Sequence, residues 1–364
     1  MSTTLPALAT DPVAIAKLAD EVIAGAELTA AQARELLDVE PGSAAQAALM
    51  EGARRIRQHF LGDRVKCCSI LNVKAGNCSE NCSYCAQASG QPATDYQKHK
   101  WLPDEDIAVA SSSAKANGAA ALGLVAAWWG VKEGSQLDMV CEAVEKFSQN
   151  GKVRADVNLG ILENQHCADR LKQAGAAVYG HNLETARSFF DNICSTHSFE
   201  ERLQTITYIK KAGMGLCSGG IVGMGETKDQ RVEFAEQIRF IEPDMVPINF
   251  LNPIKGTKLG DRPPVAPDEA LTTLAVLRFF LPDRNIMAAG GKEITLGDRL
   301  HEVFAAGVNA VMVGNYLTTM GTAPEYWQAA ATRWGLKLNS HVEEIEPAPA
   351  AGGKSCASND CGCA

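Results

Sequence analysis

The sequence has no surplus of positive charge. Its 43 acidic residues against 34 basic ones give a formal net charge of -9, which excludes the broad basic surface that nucleic acids require. It also lacks an apolar run long enough to cross a bilayer: the longest, around Ala119 to Gly130, falls short of the roughly 20 residues a spanning helix needs. The first residues, MSTTLPALATDPVAIAKLADEV, show no basic lead before an apolar core, so no secretory signal is read there. These absences lead to the expectation of a soluble, cytoplasmic chain with neither a membrane nor a nucleic acid among its partners. Wholesale disorder is excluded as well, because 46% of the residues are hydrophobic and 21% charged, an ordinary globular balance.

What the chain has in quantity is cysteine, 12 residues of it. Without a secretory signal these do not read as a disulfide scaffold but as metal ligands or reactive thiols. Their setting comes from the hydrophobic pattern. Up to residue 60 the pattern is helical, with amphipathic runs at Asp11 to Ala24, Thr29 to Leu37 and Ala44 to Phe60 broken by Pro41-Gly42. From 61 to 338 eight short apolar runs alternate with helix-period segments: VKCCSILNV, AALGLVAA, KVRADVNLG, AAVYGHNLE, MGLCSGGIVG, DMVPINFLN, NIMAAGGKE and NAVMVGNYL. Eight strand-helix units predict an α/β fold, a (β/α)8 TIM-type barrel with a parallel sheet closed on itself. The last segment, 339 to 364, begins with a Pro/Ala/Gly-rich stretch and ends in CASNDCGCA, which reads as a flexible cysteine-rich tail.

In such a barrel, polar residues at the C-terminal ends of strands face the active site. Here they are Asn158, His181 to Glu184, Cys217 to Gly220, Asn249 and Lys292. The first strand runs directly into Cys78-x3-Cys82-x2-Cys85, a triplet at the same end of the barrel. A structural zinc would want a fourth protein ligand, whereas three thiolates on a [4Fe-4S] cubane leave one iron open for substrate. The spacing therefore predicts an iron-sulfur cluster. Cys141 and Cys167 fall in helical segments and are expected in the core. Cys67 and Cys68 alternate on strand one, so only one of them can face inward.

The triplet, set in CSILNVKAGNCSENCSYCAQAS, together with YGHNLE, CSGGIVGMGET, VPINFLNPIKGT and VGNYLTTMG, resembles the radical S-adenosylmethionine superfamily, and within it the members that insert sulfur into dethiobiotin. The resemblance implies a [4Fe-4S] cluster on Cys78, Cys82 and Cys85, S-adenosyl-L-methionine on its open iron, and hydrogen abstraction by a 5′-deoxyadenosyl radical. It further implies that Asn182 and Glu184 hold the ribose diol, that Gly219, Ile221, Gly223 and Glu226 form the adenine-binding pattern, and that Asn249 orients the ureido ring of the substrate. An external reductant such as flavodoxin or ferredoxin and a homodimer belong to the same expectation. Two apart in an extended segment, Asn182 and Glu184 are expected to point the same way.

The resemblance breaks at an auxiliary cluster that the superfamily members of this kind hold on strand cysteines and an arginine. Only Cys217 matches; Gly123, Asp156 and Lys292 align with the other three positions, and Gly180 stands where an asparagine is implied. Three tail thiols, Cys356, Cys361 and Cys363, are the expected replacement ligands for an auxiliary iron-sulfur cluster of unknown type, together with Cys217. Two other readings remain open on the same residues: a related enzyme that rearranges a small amino-acid-like substrate without sulfur insertion, and an iron-sulfur carrier scaffold.

Overall fold

Burial alternates along the first strand, with Val65, Cys67 and Val73 buried under the helices while Lys66, Cys68 and Ile70 face the barrel lumen. Such two-sided burial is why the strands read as nearly continuous apolar runs. In the computed structural model, which describes residues 8–90 and 96–339, each of the eight apolar runs contains a strand: β1 (Arg64–Lys74), β2 (Ala121–Ala126), β3 (Arg154–Asn158), β4 (Val178–Gly180), β5 (Gly215–Cys217), β6 (Met245–Phe250), β7 (Asn285–Ala288) and β8 (Ala310–Met312). Every neighbouring pair is parallel, and β8 returns to β1 with Cys67 opposite Val311, so the barrel is closed.

The fifth apolar run does not stay one strand. It breaks after Cys217 and resumes as Gly220–Val222, which pairs with β6 further along, Ile221 opposite Asn249. At the break, a Cβ on Gly219 would stand 1.9 Å from the carbonyl oxygen of Pro247, so only glycine lets the two backbones approach there.

The helices begin where side chains can satisfy their first amides. Ser198 with Glu201 and Thr227 with Gln230 form capping boxes ahead of Phe199–Lys211 and Lys228–Ile241, and Asp11 caps α1 (Pro12–Ile23) by accepting from the amides of Val13 and Ala14. With α2 (Ala30–Leu36) and α3 (Ala44–Leu61), α1 packs outside the barrel against its helical layer, α3 lying on the helix Pro267–Phe280. The final described strand, Lys337–Asn339, pairs with the beginning of β1 at Arg64–Lys66. The chain therefore leaves the barrel at the end opposite the cysteine loop. No helix among the described residues is long and apolar enough to cross a membrane.

Candidate active site

The lumen opens at the C-terminal ends of the strands into a cavity of about 370 Å³, a size suited to small molecules. Cys78, Cys82 and Cys85 all line it, carried by a loop that turns sharply at Gly76 and Asn77, both with positive φ. Lys74 ties the loop to the barrel by donating to the carbonyls of Gly76 and Ala127 at 2.8 and 2.6 Å. Burial pushes the Cys85 thiol up to about 11 and raises Cys78; the hydrogen bond with Cys194, then burial, raises Cys82. Three thiols that resist ionisation alone become thiolates once a metal supplies positive charge. The donor set thus fits an iron-sulfur cluster held at three corners.

A brace that the sequence did not announce lies behind the triplet. Residues 193–197, between the short helix Arg187–Phe190 and the helix Phe199–Lys211, grip the cysteine loop: Ser83 N–H donates to Ile193 O at 2.8 Å, and Asn81 exchanges bonds with Ser195. Buried Glu80 accepts from Thr196 Oγ1 at 2.6 Å and is bonded to Nδ1 of buried His197. Cys194 Sγ stands 3.8 Å from Cys82 Sγ but is not among the residues facing the cavity, so it does not occupy the cavity side of the triplet. NICSTHS carries no hydrophobic period; only its position after β4 could have drawn attention to it.

Asn182 and Glu184 do come together, Nδ2 of one 3.4 Å from Oε2 of the other, and both line the cavity. Side-chain alternation continues past the strand, with His181 and Leu183 buried and Asn182 and Glu184 half-buried. Regular strand ends at Gly180, but Glu184 still bridges Gly220 in parallel, with φ +70° in the left-handed region. Arg202 fixes the pair, donating to Asn182 O at 2.8 Å and lying 3.8 Å from Glu184. Asn182 Oδ1 in turn accepts from Gly219 N–H at 3.1 Å, joining this turn to the glycine segment. Within that segment Glu226 is a staple: its carboxylate accepts from the amides of Gly223 and Gly225 and from Arg231 Nε. Gly219, Ile221, Gly223 and Glu226 lie beside the cavity rather than in its lining. His181 is buried, and desolvation, followed by Arg202 and His197, holds its pKa well below the usual histidine value. It is neutral at physiological pH.

Asn249 on β6 lines the cavity while holding two turns: Nδ2 donates to Gly220 O at 3.1 Å and Oδ1 accepts from Gly290 N–H at 2.8 Å. One donor hydrogen and one lone pair remain for a ligand. Gly180 is bare, and the space above it is filled by the carboxamide of Asn158.

Deeper in the lumen the wall is rich in sulfur. Cys68, Cys217, Met245, Met287 and Met312 meet there. Of the strand-one pair Cys68 faces inward and Cys67 joins the outer core; Cys141 and Cys167 are buried under the helices. Burial, with Asp156 adding to it, pushes the Cys68 thiol up to about 11, and burial raises Cys217 likewise. Asp156 is engaged by Arg154 through two bonds of 2.8 and 2.6 Å. The expectation that Lys292 belongs to this group is corrected by the structure. Lys292 follows the Gly290-Gly291 turn, is fully buried outside the cavity, and bonds to Tyr316, Ala289 O and Glu293 beneath the ring of Trp327; the residue of β7 facing the lumen is Met287. With glycine at 123, methionine at 287 and Asp156 bound to arginine, these strands do not fit a second cluster held by the barrel alone. Lys292→Met is expected to lower the unfolding free energy by about 1–3 kcal/mol, because Glu293 and Tyr316 lose a buried partner, with iron content unchanged. Urea unfolding and iron analysis check this, and loss of iron would return Lys292 to the ligand set.

Comparison with known proteins gives the family. Residues 73–238 match the model of the Radical SAM superfamily and residues 247–337 that of the Biotin and Thiamin Synthesis associated domain. The chain is 43% identical over 315 residues to a biotin synthase of Geobacter sulfurreducens, covering 86% of this chain and 94% of that protein. A biotin synthase of Carboxydothermus hydrogenoformans is 41% identical over 325 residues, covering 89% and 99%. Among solved structures, a methylornithine synthase superposes with a TM-score of 0.75 at 20% identity over 88% of this chain and 97% of that one, and a maturase of the [FeFe]-hydrogenase with 0.75 at 18% over 90% and 76%; these two speak for the fold. Three thiols on the loop after β1, a carboxamide-carboxylate pair after β4 and relatives of such identity along nearly their whole length lead to one conclusion: this chain is an enzyme of the biotin synthase family.

Proposed function

We propose that the chain is a sulfurtransferase that converts dethiobiotin to biotin with S-adenosylmethionine as the radical source. The observation that carries this reading is that the cysteine triplet, the Asn182–Glu184 pair and Asn249 face one cavity. A [4Fe-4S] cluster on Cys78, Cys82 and Cys85 would supply the electron that cleaves bound S-adenosylmethionine, drawn from a flavodoxin- or ferredoxin-like donor. Asn182 and Glu184, held by Arg202, offer an acceptor-rich pair to a ribose diol. Gly219 and Ile221 bring backbone and an apolar face toward the adenine side. Trp128, stacked on Trp101 and donating to Leu159 O at 2.8 Å, forms an apolar wall at the mouth that limits water.

The source of sulfur is the open part of the site, since the lumen retains Cys217 without the other strand ligands. We assign the auxiliary cluster to Cys217 with Cys356, Cys361 and Cys363, which lie outside the described residues. The surplus of thiols in the tail matches the deficit in the barrel, and iron-sulfur clusters need thiolate-rich sites.

Anaerobic reconstitution with iron, sulfide, S-adenosylmethionine and reductant, followed by mass spectrometry, is expected to give biotin and 5′-deoxyadenosine from dethiobiotin. Asn249→Ala should lower kcat/KM for dethiobiotin by roughly 5- to 150-fold, corresponding to about 1–3 kcal/mol for lost hydrogen bonds in a dry pocket. It should also cost stability, because the Gly220 and Gly290 turns lose their clamp. If wild-type protein cleaves S-adenosylmethionine while dethiobiotin stays intact, sulfur insertion is the wrong reaction and the rearrangement of another small substrate takes its place.

A further inference from the structure

We propose that Asn158, at the end of β3, is a specificity-determining residue that recognises the polar ring of the substrate, a cyclic urea, and that Gly123 and Gly180 are bare in order to admit its carboxamide. The inference rests on the reaction proposed above and names a residue for it that the sequence pattern left without a role.

Asn158 faces the cavity. Its neighbours across the sheet leave it a niche: a Cβ on Gly180 of β4 would lie 1.7 Å from its Oδ1, and one on Gly123 of β2 would lie 3.2 Å from its Nδ2. No side chain can occupy position 180 while Asn158 holds this conformation. The carboxamide therefore spans a width of wall that three strands would ordinarily share.

Carboxamides in protein walls normally find partners, and the others in this cavity have done so. Asn249 holds the Gly220 and Gly290 turns, Asn182 the Gly219 amide, Asn285 the Asp244 carbonyl, and Gln87 the Gly76 amide. Among the described residues no hydrogen bond reaches the Asn158 side chain. A free carboxamide presents a carbonyl acceptor and an N–H donor side by side. The complementary ligand edge has a donor next to an acceptor, such as the N–H and C=O of a urea or an amide, which a carboxylate or a phosphate does not offer. A site built to bond such a group discriminates strongly against ligands that lack it.

The experiment uses the reconstituted full-length protein with S-adenosylmethionine bound, and reads dethiobiotin affinity and the KM-against-kcat split. Asn158→Leu keeps the volume and removes the bonds; its Kd and KM for dethiobiotin should rise roughly tenfold or more, with iron content and S-adenosylmethionine affinity unchanged. Gly180→Asn alone should also weaken dethiobiotin, because the new side chain collides with Asn158. The double variant Asn158→Ala/Gly180→Asn re-supplies one amide from the neighbouring strand and should recover most of the affinity. Should Asn158→Leu lose its cluster through misfolding, the double variant against Asn158→Ala decides the matter by the same affinity reading. Wild-type affinity in Asn158→Leu, or a double variant no better than Asn158→Ala, overturns the assignment. A wild-type protein that binds no dethiobiotin overturns the reaction itself, a result distinguishable from either.

Discussion

Replacing any one of Cys78, Cys82 and Cys85 with alanine abolishes 5′-deoxyadenosine formation under reducing anaerobic conditions; that is the expected result, and the largest effect of any single change in the chain. The three thiols face the cavity shared with Asn182 and Glu184, and a cluster left with two of them would lose the third thiolate that fixes it there. No other described residue can stand in. Cys194 comes nearest, at 3.8 Å from Cys82 Sγ, but it is not among the residues lining the cavity and its thiol is bonded to His197. Cys82→Ala and Cys82→Ala/Cys194→Ala are accordingly expected to be equally inactive. The measurement is 5′-deoxyadenosine by liquid chromatography together with iron per chain. Cleavage at the wild-type level in the triple alanine variant would sink the assignment.

Deleting the residues after Gly353 should remove roughly one cluster's worth of iron and all biotin formation, while the absorption of the first cluster and the binding of S-adenosylmethionine persist. The expectation follows from the lumen: beside Cys217 it offers a glycine, an arginine-bound aspartate and a methionine where ligands are needed. The chain leaves the barrel beside the start of β1, at the end opposite the triplet. From Asn339 to Cys356 an extended segment reaches on the order of 55 Å at about 3.3 Å per residue, more than the height of a strand as long as β1. A truncated protein that retains its iron and still inserts sulfur excludes the tail. The thiols left to hold an auxiliary cluster are then Cys217 and Cys68, which share the lumen.

The barrel was legible because its strands are buried on both faces and its helices carry their own start signals. MGLCSGGIVG read as one strand, since nothing in the run itself reveals that Pro247 crowds Gly219. The triplet was legible from spacing alone. The convergence of Asn182 and Glu184 was legible from their spacing, since burial alternates through 181–184; the left-handed conformation of Glu184 was not. Lys292 was misplaced because a sequence does not show where β7 gives way to its turn; the strand ends at Ala288, and Lys292 beyond the two glycines folds outward. The niche at Asn158 was invisible for a related cause, since it is made by glycines on two other strands that only the register brings alongside.

The brace behind the cysteine loop has a consequence for biosynthesis. Glu80 and His197 are separated by 117 positions, and β2, β3 and β4 all lie between them in the chain. A ribosome adding about 5–20 residues per second exposes the three ligand cysteines for several seconds or more before the segment that holds their loop has been made. During that interval the thiols sit on an unsupported loop after a strand whose partner β8 has not yet been made. Iron delivered then meets ligands without a site; delivery after β4 and residues 193–197 have docked meets a loop already held in place. The loop that carries the three thiols is thus fully held only once the first half of the barrel has been made.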